Sequence, residues 1–435
     1  MKISKDLQIK LDKFRHDRKG YYSFLLLALM FFVTLPAELI SNVRPLLIVV
    51  DGTPHFPVFF KYSEKDFGGT LPSEPDYLSQ RFQRILTGTP ATSDAVMNPT
   101  EKNSDSLAID MGDFEDDGLS LTLGDFDEET SATPPVVFSL ELSDFEEGET
   151  VVPEMAPLPE DNVVHNVWTL WPPIRYDYKY IPSNSKTGKV VLAAPWQTEI
   201  EGGSKIIPSS WEDGHYLGTD DRGRDILARL IYGMRISMVF GIALAITGTV
   251  LGCLIGGTQG FFGGLVDLVG QRLTEIWGSI PRLYILIILS AFLTPSALIL
   301  FLILNLTAWM GIAAYIRAEF LKIRNFEFVK AAKALGVSNF GIMRRHILPN
   351  ALTPVVTFFP FEVTAGILAL VSLDYLNLGV PSPAPSMGEL LAQGKSNLQA
   401  TWIILPTFSI LTITITLLTF VGEGIRNAFD PRRNA

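Results

Sequence analysis

A short basic stretch, LKIRNFEFVKAAKALGVSNFGIMRRHILPN at residues 321–350, carries the side chains best placed to engage another molecule. Lys330, Ala331, Ala332, Gly336, Arg344, Leu348 and Pro349 are spaced for docking and not for bond-making. The two alanines leave a helix thin enough for a second protein to approach closely. Gly336 is placed to end that helix in a left-handed cap. Ser338 then caps a second short helix through Phe340, Ile342 and Met343, and Pro349 is expected to end it. Arg317, Lys322, Arg324, Lys333 and Arg345 add positive charge, which marks a loop held on the cytoplasmic side of a membrane. The expected product is a rigid knob of helix, tight turn and helix.

Little else in the chain is arranged for chemistry. No GxxxxGK[ST] loop is present, and Gly188-Lys189 is followed by Val190, so the phosphate cradle that such a loop supplies for ATP is missing. Cys253 is the single cysteine, which excludes a disulfide framework and a cysteine-based zinc site within the chain. His16, His55, His165, His215 and His346 are scattered without ligand spacing. No cofactor or metal is expected, and no catalytic residues stand out. Glu362 differs from these groups, because it follows Pro360 inside an apolar run. A carboxylate within a membrane marks a transport pathway, whereas one at the edge of a span is an interfacial group. Span limits read from sequence shift by several residues, so Glu362 fits both readings.

The elements that must carry these residues are apolar. The chain has 435 residues, of which 47% are hydrophobic. Residues 21–42 read as an uncleaved first transmembrane helix, since the run reaches the ~20 residues that a crossing needs and no small-residue cleavage site follows the basic leader. Further spans are expected near 234–258, 268–294, 297–316, 351–376 and 402–424. The basic leader 1–20, the loop 317–350 and Arg426, Arg432 and Arg433 near the end place both termini inside.

Residues 43–214 form a large insert between the first two spans. In it LLIVV, Asp51-Gly52 and TPHFPVFF read as two short strands around a turn, with two prolines weakening the second. Residues 163–216 hold Trp168, Trp171, Trp196 and Trp211, read either as a small folded core or as anchors at a membrane surface. The net charge of −11 is local: residues 101–162 hold 19 of the 46 acidic groups and one of the 35 basic ones, Lys102, leaving 34 basic against 27 acidic elsewhere. Nucleic acid is therefore not implied. The tract carries an irregular echo of Gly112-Asp113-Phe114, Gly124-Asp125-Phe126 and Ser143-Asp144-Phe145, and its composition predicts a solvated, disordered insertion.

The loop resembles the EAA loop of ABC-importer permease subunits, whose pattern is EAAxxxG followed by IxLP. Ala331, Ala332, Gly336, Leu348 and Pro349 fall in register, while Lys330 replaces the Glu and His346 the Ile. Two more segments resemble the same family. LGTDDRGRDILARLIYGMRIS at 217–237 matches its LGTDxxGRDxxSRLxxGxRxS signature through Asp220, Arg224, Asp225, Arg229 and Arg235, with Ala228 for the usual Ser. SLDYLNLGVPSPAPSMGELLAQGKSNLQATW at 372–402 and GEGIRNAFDPR at 422–432 are similar to the peptide-permease ending. The stretch Gly388–Lys395, with WPPIRYDYKYIPSNSK in the insert, looks like the YejE-type subgroup that serves oligopeptide and microcin C importers. The acidic tract has no counterpart in the family.

The resemblance implies an all-α polytopic fold of six transmembrane helices, the type I importer permease fold, with a large periplasmic insert after helix 1 and a permease core at 215–435. It implies the bacterial inner membrane, a second homologous permease, cytoplasmic ATPase subunits that bind ATP and magnesium, and a periplasmic peptide-binding protein. The 330–349 knob would take up ATP-driven motion, so the chain itself is not expected to be an enzyme. A self-sufficient secondary transporter or channel is the rival, but it favours inverted repeats and several intramembrane charges, and no repeat is visible here. For the signature at 217–237, Asp220 and Asp221 are expected to cap a helix, and Asp220, Asp221 and Asp225 to neutralise Arg224, Arg229 and Arg235.

Overall fold

The structure, a computed structural model, describes residues 5–87, 166–181, 191–196, 211–212, 214–293 and 296–429. In chain order the elements are α1 (Lys5–His16), α2 (Arg18–Thr34), α3 (Ala37–Ile40), β1 (Leu47–Val50), β2 (Thr53–His55), α4 (Gln80–Thr87) and β3 (Val167–Leu170). There follow α5 (Ile226–Phe262), α6 (Gly264–Gly278), α7 (Arg282–Phe292), α8 (Ala297–Ile323), α9 (Glu327–Ala334) and α10 (Asn339–Ile342). A π-helical turn (Met343–Ile347) then leads into α11 (Leu348–Tyr375), followed by α12 (Met387–Ser396) and α13 (Thr401–Phe429).

Among the described residues four helical segments are long and apolar enough to cross a membrane: Ile226–Phe262, Ala297–Ile323, Asn339–Tyr375 and Thr401–Phe429. The first and second lie side by side and parallel. A Cβ on Gly252 would meet Ile312, one on Gly256 would strike Ala313, and one on Gly260 would meet Arg317 and Phe320. Glycine at every fourth position leaves one bare face on the first helix, so the second packs directly against its backbone. Parallel neighbours require the chain between them to run back, and α6 and α7 make that return. The single helix expected over 268–294 is therefore two helices, separated at residues 279–281. Pro281 is the cause: it lacks an N–H and turns the chain out of helical geometry. The helix expected over 21–42 stops at Thr34 for a similar reason, with Pro36 just beyond it. Ser296 caps α8 by accepting from Ile299 N at 3.2 Å.

Burial follows these pairings. At one end of the bundle Ile312, Ile316, Phe320 and Ile323 of α8 pack with Val329, Ala332, Ile342, Ile347, Ala351 and Val355. At the other end Phe240, Leu244, Leu300, Ile303, Leu304 and Leu370 form a second cluster. A third joins Leu27 of α2 to Met238, Val363, Ile367 and Leu411. The α2–α13 contact is again made through small residues, with Gly20 against Gly424.

The insert contributes a three-stranded sheet of order β2-β1-β3, antiparallel throughout. Asp51 (φ 49°) and Gly52 (φ 83°) form the β1–β2 turn, as two left-handed residues must in a tight hairpin. Trp168, Trp196 and Trp211 are exposed, and the buried groups here are Ile48, Val50, Ile174, Tyr176, Ala193 and Ala194. A small core exists, but these three tryptophans are not its substance. A separate unit comprises Ser63–Pro75 and Gln80–His165, of which residues 63–75 and 80–87 are described. Its helical turn is closed by reciprocal Ser63 and Asp66 bonds, and Phe67 meets Phe82 edge-on at 5.3 Å. The acidic tract 101–162 lies outside the described residues.

Candidate functional site

The basic stretch folds into the expected knob, built from local signals. In α9, Val329 and Ala332 face inward and are buried, while Lys330 and Ala331 point outward. Ala332 is thus a core residue, and only Ala331 offers a small surface to a partner, because consecutive helical residues are ~100° apart. Gly336 (φ 80°) ends the helix. Val337 N donates to Ala332 O and Gly336 N to Lys333 O, each at 3.1 Å, which is the Schellman pattern. A Cβ at Gly336 would meet nothing within 4 Å, so this glycine is required for its backbone angle and not for space. Ser338 accepts from Gly341 N at 3.2 Å and starts α10. Lys330 pairs with Glu327 at 2.9 Å, but both are largely exposed, so the pair contributes little.

Pro349 does not end the second helix. It sits in the first turn of α11, and helix runs on from Asn339 to Tyr375. The π turn explains this. Leu348 N reaches back to Met343 O, one residue further than an α-helix allows. That widening makes room for the proline ring, and a first-turn proline forfeits little because its missing N–H falls where the turn is already irregular. Leu348 is half-buried, whereas Arg344 and Pro349 are exposed.

The outer surface of the knob is apolar at its tip. Leu335 is 84% exposed and Phe340 70%, with Phe328 and Val337 exposed beside them. Lys330, Lys333, Arg344 and Arg345 flank these residues in the chain and are exposed too. The inner surface is the cluster on the end of α8, so a push on the tip is carried into α8 and α11 together. Glu362 lies in mid-α11, half-buried, and faces α8 near Gly311, with the stacked rings of Tyr315 and Phe358 at 4.5 Å one turn away. It is well inside a candidate span and not at its edge.

At the opposite end of α5 a buried ion network forms. Arg224 Nε donates to Asp220 Oδ2 at 2.7 Å and Nη2 to Glu389 Oε1 at 3.1 Å. Arg229 Nη2 donates to Glu389 Oε2 at 2.5 Å, and its Nη1 to Tyr178 O at 3.2 Å. Asp220, Arg224 and Arg229 are almost wholly buried. Burial disfavours the Arg224 charge, but the bonds and charges of Asp220 and then Glu389 outweigh it, and its proton is held more tightly than usual. Burial, and next the Asp220 charge, push the Asp221 carboxyl upward against the pull of Arg224.

Three sequence expectations change here. The cap of α5 is Asp225, accepting from Ala228 N at 2.7 Å, and not Asp220 or Asp221. Asp220 closes the preceding turn instead, accepting from Arg222 N and Arg224 N. Asp225 pairs with buried His215 at 2.9 Å, which stacks on Tyr176 at 4.0 Å, and Arg235 pairs with Glu38 at 2.9 Å. Glu389, Glu38 and His215 were missed as partners. They lie far along the chain or outside the motif, and only the distinctive Gly388–Lys395 stretch pointed near Glu389.

Residues 248–435 match the family described as Binding-protein-dependent transport system inner membrane component. The chain is 37% identical to the Peptidoglycan transport system permease protein YejE of Agrobacterium fabrum, covering 97% of this chain and 91% of the relative. It is 35% identical to the Inner membrane ABC transporter permease protein YejE of Escherichia coli, covering 98% and 97%. The Oligopeptide transport system permease protein OppC of Escherichia coli is 38% identical over 51% of this chain and 74% of its own length. With four membrane-length apolar helices and near full-length likeness to these permeases, the chain belongs to the family of inner-membrane permease components of binding-protein-dependent ABC transport systems.

Proposed function

We propose that the chain is one of two permease subunits in an ATP-driven importer of peptides, with microcin C-like peptide antibiotics as further cargo. A second homologous permease completes the pathway, a periplasmic peptide-binding protein delivers the substrate, and cytoplasmic ATPase subunits bind ATP and magnesium. Both termini and the 317–350 loop face the cytoplasm. The observation that carries this reading is the knob itself: a capped, preformed element with exposed Leu335 and Phe340 at its tip and a buried base locked to α8. An exposed apolar tip flanked by charge marks a protein-binding surface. Ala331, Lys330, Gly336 and Arg344 would shape the contact, and Ala332, Leu348 and Pro349 would carry it into α11. Glu362 would line the pathway, since a carboxylate this deep in a span serves transport by default.

The test is peptide uptake by cells carrying Gly336→Pro or Ala331→Glu. Both variants should reach the membrane at normal levels and lose uptake, because neither a distorted turn nor a bulky charge fits a groove shaped for alanine. Purified alone, the chain should not hydrolyse ATP, and hydrolysis should appear when the ATPase subunit is added. Normal uptake by both variants would overturn the docking role.

A further inference from the structure

We propose that Arg324 and Arg317 together are positioning residues that couple displacement of the loop to α6, Arg324 by fixing the α5 side of the glycine joint and Arg317 by holding α6 itself. This rests on the reading of the loop as the ATPase-docking element.

Arg324 caps the end of α8, just before α9 begins. Its Nη1 donates to Gly260 O and to Phe261 O, at 3.3 Å each. These carbonyls belong to the last turn of α5, where helical partners run out and the helix dipole is negative. Two turns earlier on the same face, Arg317 Nη2 donates to Asp267 Oδ2 at 2.7 Å, and a second, shorter bond joins Arg317 Nε to Asp267 Oδ1. Asp267 is in the first turn of α6. One arginine therefore holds the end of α5 and the other the start of α6.

Between these anchors sit Gly263 (φ 64°) and Gly264 (φ 53°). Two successive left-handed residues form a joint that only glycine adopts cheaply. A side chain on Gly263 would strike the Arg324 guanidinium, so the joint and the arginine occupy adjoining space. Beyond the joint α6 has no buried residue, and Leu265, Leu268, Leu273 and Ile276 are each more than half exposed. Its other end is tethered to α8 by Trp277 Nε1 donating to Leu306 O at 3.0 Å. Thus α5 and α8 pack closely as a pair, while α6 is attached through the glycine joint, the Arg317–Asp267 clamp and the Trp277 tether, with Arg324 fixing the α5 side of the joint. The loop is fused to the end of α8 through Phe320, Ile323, Val329 and Ala332. A tilt of the loop passes directly into α11, and it reaches α6 by a second route, through Arg324 at the α5 side of the joint and Arg317, which holds α6 itself.

The test uses the complete importer in liposomes, with spin labels at Leu268 on α6 and Phe420 on α13. In the unaltered complex ATP should change the label distance. Arg324→Gln should keep the ATPase subunit bound and ATP turnover present, abolish the distance change, and lower uptake about tenfold or more, the scale of one lost charge-assisted bond. Reversing the clamp, Arg317→Asp with Asp267→Arg, should restore uptake above either single reversal. Failure of the ATPase subunit to co-purify with the unaltered chain would refute the docking reading and this inference with it. Normal co-purification with an unchanged distance response in Arg324→Gln would overturn this inference alone. Equal loss in the double and single reversals would also count against it, since a pair acting only through its charges survives their exchange.

Discussion

The two ends of the bundle are held by different physics. The loop end is organised by signals a few residues apart: Gly336, Ser338 and an inward stripe of Val329, Ala332, Ile342 and Ile347. The opposite end is organised by charges drawn from distant parts of the chain, with Arg229 and Glu389 separated by 160 residues. Local order leaves the knob a self-shaped unit whose outer face is free to bind. The ion network instead joins α12 and the turn before α5 into one piece. The end expected to move is apolar and capped, whereas the end expected to stay fixed is ionic and buried.

Removing one partner of the buried network should show the largest effect. Glu389→Ala leaves Arg229 buried beside Arg224 without its strongest counter-charge, and breaking a buried pair costs about 3–5 kcal/mol. Thermal unfolding of the detergent-solubilised protein should fall sharply, and Glu389→Gln should fall less because it keeps hydrogen-bonding atoms. An equal loss for both would mean that shape and not charge holds this end. The next effect is steric. Gly256→Leu drives a side chain into the Ala313 backbone, and overpacking of this kind costs about 1–3 kcal/mol. It should separate α5 from α8 and reduce both membrane levels and uptake.

The loop end should respond differently. Gly336→Ala meets no atom within 4 Å, so its cost is the left-handed backbone alone, about 1–2 kcal/mol. Global unfolding should barely change, since the knob opens locally, but ATPase binding should weaken. Gly336→Asn should recover most of it, because asparagine tolerates that region. A global loss equal to that of Glu389→Ala would erase the distinction between the two ends.

The same distinction explains what the sequence revealed. The long apolar helices over 234–258, 297–316, 351–376 and 402–424, the knob, its left-handed glycine, the Ser338 cap and the Asp51-Gly52 hairpin depend on neighbours and were legible. Pro349 is expected to end a helix, but a π turn accommodates it in the first turn of α11, with Ile347 and Ala351 on either side buried in one cluster. The division of the 268–294 segment is written in the chain, at Pro281 with Arg272, Glu275 and Arg282 around it. The counter-charges of Arg229 and Arg235 are expected among the nearest carboxylates; Asp220 does pair with Arg229 at 3.6 Å, but its shorter partner Glu389, and Glu38 for Arg235, are brought in by the fold.

The smallest effect compares a partly covered ion pair at the loop end with the buried network. The Arg317 hydrogen bond holds the Asp267 carboxyl below its ordinary range. A carboxyl lowered on folding adds stability above its unfolded value and loses it as pH falls through the folded one. The pair is partly solvated, and such pairs are worth no more than about 1 kcal/mol. Asp267→Asn should therefore lower the unfolding temperature slightly at neutral pH, and the gap from the unaltered protein should close in acid as the native carboxyl is protonated. High salt should close it too, because exposed pairs are screened. The Glu389→Ala gap should resist salt, since Arg224 and Arg229 are shielded from solvent. If salt erased both gaps equally, the two ends would share one kind of electrostatics, and the contrast between a mobile and a fixed end would have to rest on packing alone.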